Sequence, residues 1–203
     1  VHFHPAWSRL SNVIPRMQSN LEAFVFGRTD WEYVTNTFVY AAKIGYRFIQ
    51  TANGRPVNGD TSIRGGCKAH ISGISADRAQ LCLQVDYIKP CTDFVDDNDN
   101  TVSTGMPIQG LMITNGTFAS LTKKNATHYG MGGRNVYIGE KCAGAISFVN
   151  CSFMGDFKNQ SVYSRGQGFL SFSDCAFFNA KPSECAVIRA DAGKLKVRGC
   201  TFT

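Results

Sequence analysis

No stretch of 18 or more apolar residues occurs in these 203 residues, and no run of Lys and Arg gathers anywhere along them. The first absence leaves no candidate for a membrane-spanning helix. The second removes the electrostatic footprint that tracks a phosphate backbone. The 21 Lys and Arg against 15 Asp and Glu leave a net charge of +6, thinly spread, so nucleic acid is not an expected partner. An acidic polymer such as a uronate polysaccharide is permitted. Helical signal is equally scarce: residues 6–25 hold a turn or two, broken at Pro15. The glycines of GMGG (130–133) lack the Lys-Ser/Thr that completes a phosphate loop and read as a turn. No signal peptide opens the chain, and VHFHPAW starts in the middle of a pattern, which leads us to expect a mature or truncated chain. With 43% apolar and 18% charged residues, a substantial core and one globular unit over residues 1–203 are expected.

What is present is repetition. GLMITNGTF (110–118), AISFVNCSF (145–153), FLSFSDCAF (169–177) and KLKVRGCTF (194–202) align at spacings of 35, 24 and 25 residues. Leu111 and Ile113, Ile146 and Phe148, Leu170 and Phe172, and Leu195 and Val197 alternate with more polar neighbours, the period of a half-buried strand. Each strand ends at Asn115, Asn150, Asp174 or Gly199, residue types that accept a left-handed turn, and another short apolar strand follows. A second series precedes the first: FVFGR (24–28), YRFIQ (46–50), LCLQVD (81–86), NVYIGE (135–140), SVYSRG (161–166) and AVIRAD (186–191). Three short strands over roughly 22 to 26 residues make one coil of a solenoid, which buries its apolar face only when coil stacks on coil.

The fold expected is therefore all-β, a parallel β-helix, with like residues in columns. Phe118, Phe153, Phe177 and Phe202 form one such column, and Cys151, Cys175 and Cys200 form another, read as stacked small side chains rather than a disulfide ladder. The other five of the eight Cys have no pairing that sequence can assign. An antiparallel sandwich, the rival architecture, does not explain a repeat that preserves residue identity at the same turn. Four acceptor sequons, at Asn115, Asn125, Asn150 and Asn159, together with the cysteines, suggest a secreted glycoprotein. Both solenoid ends would expose stacking surfaces, inviting additional coils or self-association.

The repeated unit of strand, Asn or Asp, then Cys-x-Phe resembles the right-handed parallel β-helix of the pectate lyase superfamily, which includes pectate lyases, polygalacturonases and phage tailspikes. FVFGRTDWEYVTNTFVYAAKIGYRFI (24–49) is similar to secreted bacterial β-helix proteins described as glycosidase-like or pectate-lyase-like. The resemblance implies a carbohydrate-active protein, a polysaccharide lyase or glycoside hydrolase, within a longer β-helix. The alternative is a non-catalytic glycan-binding or structural surface β-helix, including a tailspike-like adhesin. Gly-Asp-Gly-x-x-Asp-Asp, the polygalacturonase motifs and the Arg-x-Pro-x-x-Arg element of pectate lyases are all missing, so no catalytic residue carries over.

The chemistry-bearing residues are read directly. Asp86, Glu140, Arg165, Arg189 and Asp191 fall near the ends of the second strand series and are the candidate catalytic residues. Tyr137 and Tyr163 lie beside them as candidate substrate-binding rings. In adjacent coils, equivalent positions lie about 4.8 Å apart, so this column makes either a sugar groove or an exterior ion-pair ladder. The acidic loop DFVDDNDN supplies Asp93, Asp96, Asp97 and Asp99, suited to paired-carboxylate catalysis, to calcium through Asp96, Asp97 and Asp99, or to simple solvation. Calcium is the one cofactor suggested. His2 and His4 alternate on one face without a third metal ligand near them. Trp7 and Trp31 read as packing residues rather than sugar platforms.

Overall fold

A strand of three to five residues, ended by a residue that tolerates positive φ, can pair only with its equivalent one coil away, and this rule builds the molecule. The computed structural model describes residues 2–3, 13–29, 31–51, 66–89, 93–95, 98, 100–103, 109–120, 133–155, 160–178 and 186–203. They form three parallel sheets in a right-handed β-helix. The first sheet stacks Glu22–Phe26, Ile44–Phe48, Leu81–Val85, Arg134–Ile138, Val162–Ser164 and Ile188–Ala190. The second stacks Glu32–Thr35, Ala69–Ser72, Gln109–Thr114, Ala145–Val149, Phe169–Ser173 and Lys194–Arg198. The third runs from His2–Phe3 through Phe38–Tyr40, Ser75–Ala79, Thr117–Ser120, Ser152–Met154 and Ala176–Phe177 to Thr201–Phe202.

Pairing in register turns the sequence repeat into columns. Phe118, Phe153, Phe177 and Phe202 are successive partners, their rings stacked at centroid distances of 5.4, 4.7 and 4.9 Å. Leu111, Ile113, Ile146, Phe148, Leu170 and Phe172 point inward and are buried, as their alternation requires. Leu195 and Val197 occupy the same inward columns on the last coil described, yet both remain 42% exposed, and Phe202 is 48% exposed. Cys151 and Cys175 are buried free thiols and Cys200 is a partly buried one, so the cysteine column packs without disulfides. Cys91 and Cys185 lie outside the described residues.

The corner between the second and third sheets is the most regular feature. Asn36, Gly73, Asn115, Asn150, Asp174 and Gly199 all adopt φ between 51° and 64°. In this left-handed region Asn and Asp are tolerated and Gly costs nothing. Asn150 Nδ2 donates to Asn115 Oδ1 at 2.7 Å, so two of the sequon asparagines belong to this ladder. Asn125 and Asn159 lie outside the described residues.

Two expectations change. Pro15 does not break the helix; it sits third in a helix spanning Val13–Asn20, where first-turn amides have no intrahelical acceptor to lose. The acidic segment is not purely loop, because Asp93–Val95 pairs antiparallel with Thr101–Ser103. Asp96, Asp97 and Asp99 themselves lie outside the described residues, so the calcium expectation has no geometry to meet.

Where the chain passes from the first sheet to the second, coils approach through glycine. A Cβ on Gly168 would collide with the backbone carbonyl of Gly144, one coil below. Gly168→Ala is therefore expected to destabilise by about 1–3 kcal/mol, the usual cost of forcing a methyl into a packed interior. Urea denaturation measures it, and an unchanged midpoint would mean that the coils have more room there than their stacking implies.

Candidate functional site

Alternation leaves every second residue of the first sheet facing outward. The middle outward column runs Val25, Arg47, Gln84, Tyr137, Tyr163 and Arg189, all paired in register. Asp86, Glu140, Arg165 and Asp191 follow their strands immediately or within two residues, which brings their side chains alongside this column. The five candidate catalytic and two candidate substrate-binding residues thus share one face of the β-helix. They divide into two groups.

Toward the C-terminal coils, Arg165 and Glu140 form an ion pair, and Arg189 Nε donates to Asp191 Oδ1 at 2.6 Å. Tyr163 Oη donates to Asp191 Oδ2 at 2.7 Å. The rings of Tyr137 and Tyr163 lie 5.8 Å apart and tilted by 57°. Guanidinium groups of Arg134 and Arg189 approach the Tyr163 ring at 5.1 and 5.3 Å, so this ring supports cations as much as it offers itself to a ligand. Arg189 and Tyr163, both bonded to Asp191, hold its carboxyl below the usual carboxylate range. The bond to Asp191 raises the pKa of the Tyr163 hydroxyl, and Arg165, bonded to Tyr137 and facing Glu140, also titrates higher than an ordinary Arg. The Asp191 carboxylate likewise raises Arg189. Each shift reinforces the charge state that the group already has at neutral pH.

Toward the N-terminal coils, Asp86 meets neither Glu140 nor Arg165 but Arg47. Arg47 Nε donates to Asp86 Oδ2 at 2.8 Å, and its Nη1 donates to both oxygens of Glu22 at 2.9 Å. Gln84 Nε2 donates to Asp86 Oδ1 at 2.6 Å, and Lys43 Nζ approaches Glu22 at 3.7 Å. Partial burial works against the Arg47 charge, but the bonds to Glu22 and Asp86 outweigh it and raise its pKa. An open cleft of about 380 Å³ lies beside this triad, with Val25, Tyr87 and Lys141 among its walls.

Arg47 and Glu22 were not singled out from sequence, although a signal was there. YRFIQ is in the same series as LCLQVD and NVYIGE, and setting these segments in register puts Arg47 in the column of Tyr137 and Tyr163. Trp31, read from sequence as a packing residue, meets the His70 ring and lies under the Lys68 ammonium, yet remains 46% exposed on the second sheet's side. Among the described residues no group of three or more His, Cys, Asp or Glu is placed to hold a metal ion, and no helix is long and apolar enough to cross a membrane. His4 and Trp7 lie outside the described residues.

No protein-family profile, no curated protein and no solved structure matches this chain.

Proposed function

We propose that this chain is a secreted, polysaccharide-binding β-helix of the pectate-lyase-like kind, which holds an acidic glycan along the outer face of its first sheet without cleaving it. The observation that carries this reading is the ladder of tyrosines and guanidinium groups on consecutive coils, with Arg165 and Arg189 side chains 46% and 54% exposed. A repeat of about 4.8 Å per coil sets Tyr137, Tyr163 and Arg189 in line along the path of a long polymer. What favours binding over turnover is the electrostatics. Glycoside hydrolysis needs one protonated and one ionised carboxyl, and Asp191, drawn below the usual carboxylate range by Arg189 and Tyr163, fits only the ionised role. β-Elimination needs a group ready to accept a proton, whereas Arg165 and Arg189 are held more firmly protonated than usual. The exposed apolar positions of the last coil, Leu195, Val197 and Phe202, supply a surface for additional coils or self-association.

Retention on immobilised acidic and neutral polysaccharides, with mass spectrometry of the supernatant, tests this. Arg165→Ala with Arg189→Ala should weaken retention on the acidic matrix about tenfold, equivalent to about 1.4 kcal/mol, and no shortened products should form. Unsaturated or hydrated oligosaccharides would replace the binding reading with a lyase or a hydrolase. Retention that survives both replacements would move the site away from this face.

A further inference from the structure

The second sheet carries an aromatic cluster that the first-sheet ladder does not use. Tyr33 and His70 are paired neighbours on adjacent strands, Glu32–Thr35 and Ala69–Ser72, and both point outward. Tyr33 is 68% exposed, the largest value among the exposed large apolar and aromatic side chains of the described residues. The His70 ring meets Tyr33 and Trp31 edge-on, each at a centroid distance of 5.7 Å, with interplanar angles of 74° and 81°. The ammonium of Lys68 stands 4.1 Å from the centre of the Trp31 ring. Glu32, between the two aromatics in sequence, alternates to the inner side of its strand, where its charge acts on the buried Cys67 thiol. The outer patch therefore combines three rings with one cation.

Trp31 is held there under strain. Its φ is 59°, a left-handed conformation that a bulky side chain rarely adopts and that costs on the order of 1–3 kcal/mol. Asn36 and Asn115 take this conformation as a residue type that tolerates it, and Ala41 and Arg78 take it too, but Trp31 has the bulkiest side chain of these and holds it 46% exposed.

We infer that Trp31, Tyr33, His70 and Lys68 form a second carbohydrate site, on a different face from the ladder of the first sheet, which takes a sugar ring bearing an anionic group. The apolar face of the ring stacks on Tyr33, its carboxylate or sulfate pairs with Lys68, and hydroxyls reach His70. The Lys68 ammonium over Trp31 makes the patch repel cationic ligands and leaves an anion as the complementary charge. The assignment rests on the first-sheet reading only for the class of ligand, an acidic polysaccharide, and stands on separate residues.

Calorimetric titration of the intact chain with a short hexuronate oligomer, and with a neutral oligosaccharide of equal length, tests it. Trp31→Asn relieves the backbone strain, so this variant should keep or raise the unfolding midpoint. Tyr33→Ala, at an exposed position, should leave the midpoint nearly unchanged. Each should weaken the hexuronate affinity of this site by about tenfold. In the Arg165→Ala, Arg189→Ala background, Lys68→Met should abolish the remaining preference for hexuronate over the neutral sugar. Arg165→Ala with Arg189→Ala should leave this site intact, so loss through one set of variants and not the other tells which face binds. Wild-type affinity in both Trp31→Asn and Tyr33→Ala, or no hexuronate binding by the wild-type chain, overturns the inference.

Discussion

Replacing Phe153 with alanine is expected to destabilise the chain by about 3–5 kcal/mol, the range for emptying an aromatic site in a packed core. The ring is fully buried and touches four others: Phe118 and Phe177 stack on it at 5.4 and 4.7 Å, and Phe148 and Phe172 meet it edge-on at 5.6 and 5.8 Å. The cavity has little means of closing, because the strand bearing Phe153 is pinned between two neighbours in register. Phe202 provides the internal comparison. It occupies the same column but is 48% exposed and stacks only on Phe177 among the described rings, so Phe202→Ala should cost about 1 kcal/mol. In a solenoid each coil contacts only its neighbours, so Phe153→Ala should also uncouple the coils on either side and broaden the unfolding transition. Equal midpoints for the two variants in urea would show that stacking in this column does not determine stability.

Alkaline pH is expected to have the second large effect. Burial pushes the Tyr46 hydroxyl from 10.0 up to about 12, and burial pushes the thiols of Cys67 and Cys142 from 9.0 up to about 11. In every case the folded chain keeps a proton that the unfolded chain has already released. Their stabilisation is therefore complete below pH 9, declines as pH rises past 9 for the thiols and past 10 for Tyr46, and is lost by about pH 12. Two pH units correspond to about 2.7 kcal/mol, the ceiling for each group, and solvent screening at Cys67 and Tyr46 reduces their shares, so the three together give a loss of roughly a few kcal/mol. The Tyr46 hydroxyl lies 2.9 Å from Thr37 Oγ1 and within 3.2 Å of the Thr37 and Ser75 carbonyls, and it can donate to these carbonyls only while protonated. Urea midpoints measured from pH 8 to 12 should fall steeply above pH 9. Cys67→Ala and Cys142→Ala should each flatten the decline that begins at pH 9, and Tyr46→Phe the part above pH 10. A midpoint that stays level to pH 11 would rule out buried neutral thiols as the cause.

The two ladders of this molecule differ in how they can be used. The Asn and Gly corner is a backbone device, fixed by φ, and leaves its side chains little choice of partner. The outer face of the first sheet is a side-chain device on a regular scaffold, where each coil can carry a different residue without disturbing the core. Arg47, Gln84, Tyr137, Tyr163 and Arg189 illustrate that freedom within one column.

How far the sequence speaks depends on whether a property repeats. The parallel β-helix was legible from Asn115, Asn150, Asp174 and Gly199 because each must satisfy the same φ, and from the Phe column because each must fill the same slice of core. Asn36 and Gly73 obey the same corner rule, yet Val39 and Ala76 stand three residues on in place of Phe, so identity was lost there while geometry persisted. The shared face of Asp86, Glu140, Arg165 and Asp191 was also predictable, since position along a strand determines which way a side chain points. The partners were decided only by tertiary structure. Asp86 joins Arg47 and Glu22 rather than the C-terminal group, and Trp31 finds Lys68 and His70 as its neighbours on the outer side. Periodicity fixes the direction of a side chain, but which charge or ring it meets depends on how long side chains from neighbouring coils reach across one another, and no single strand encodes that.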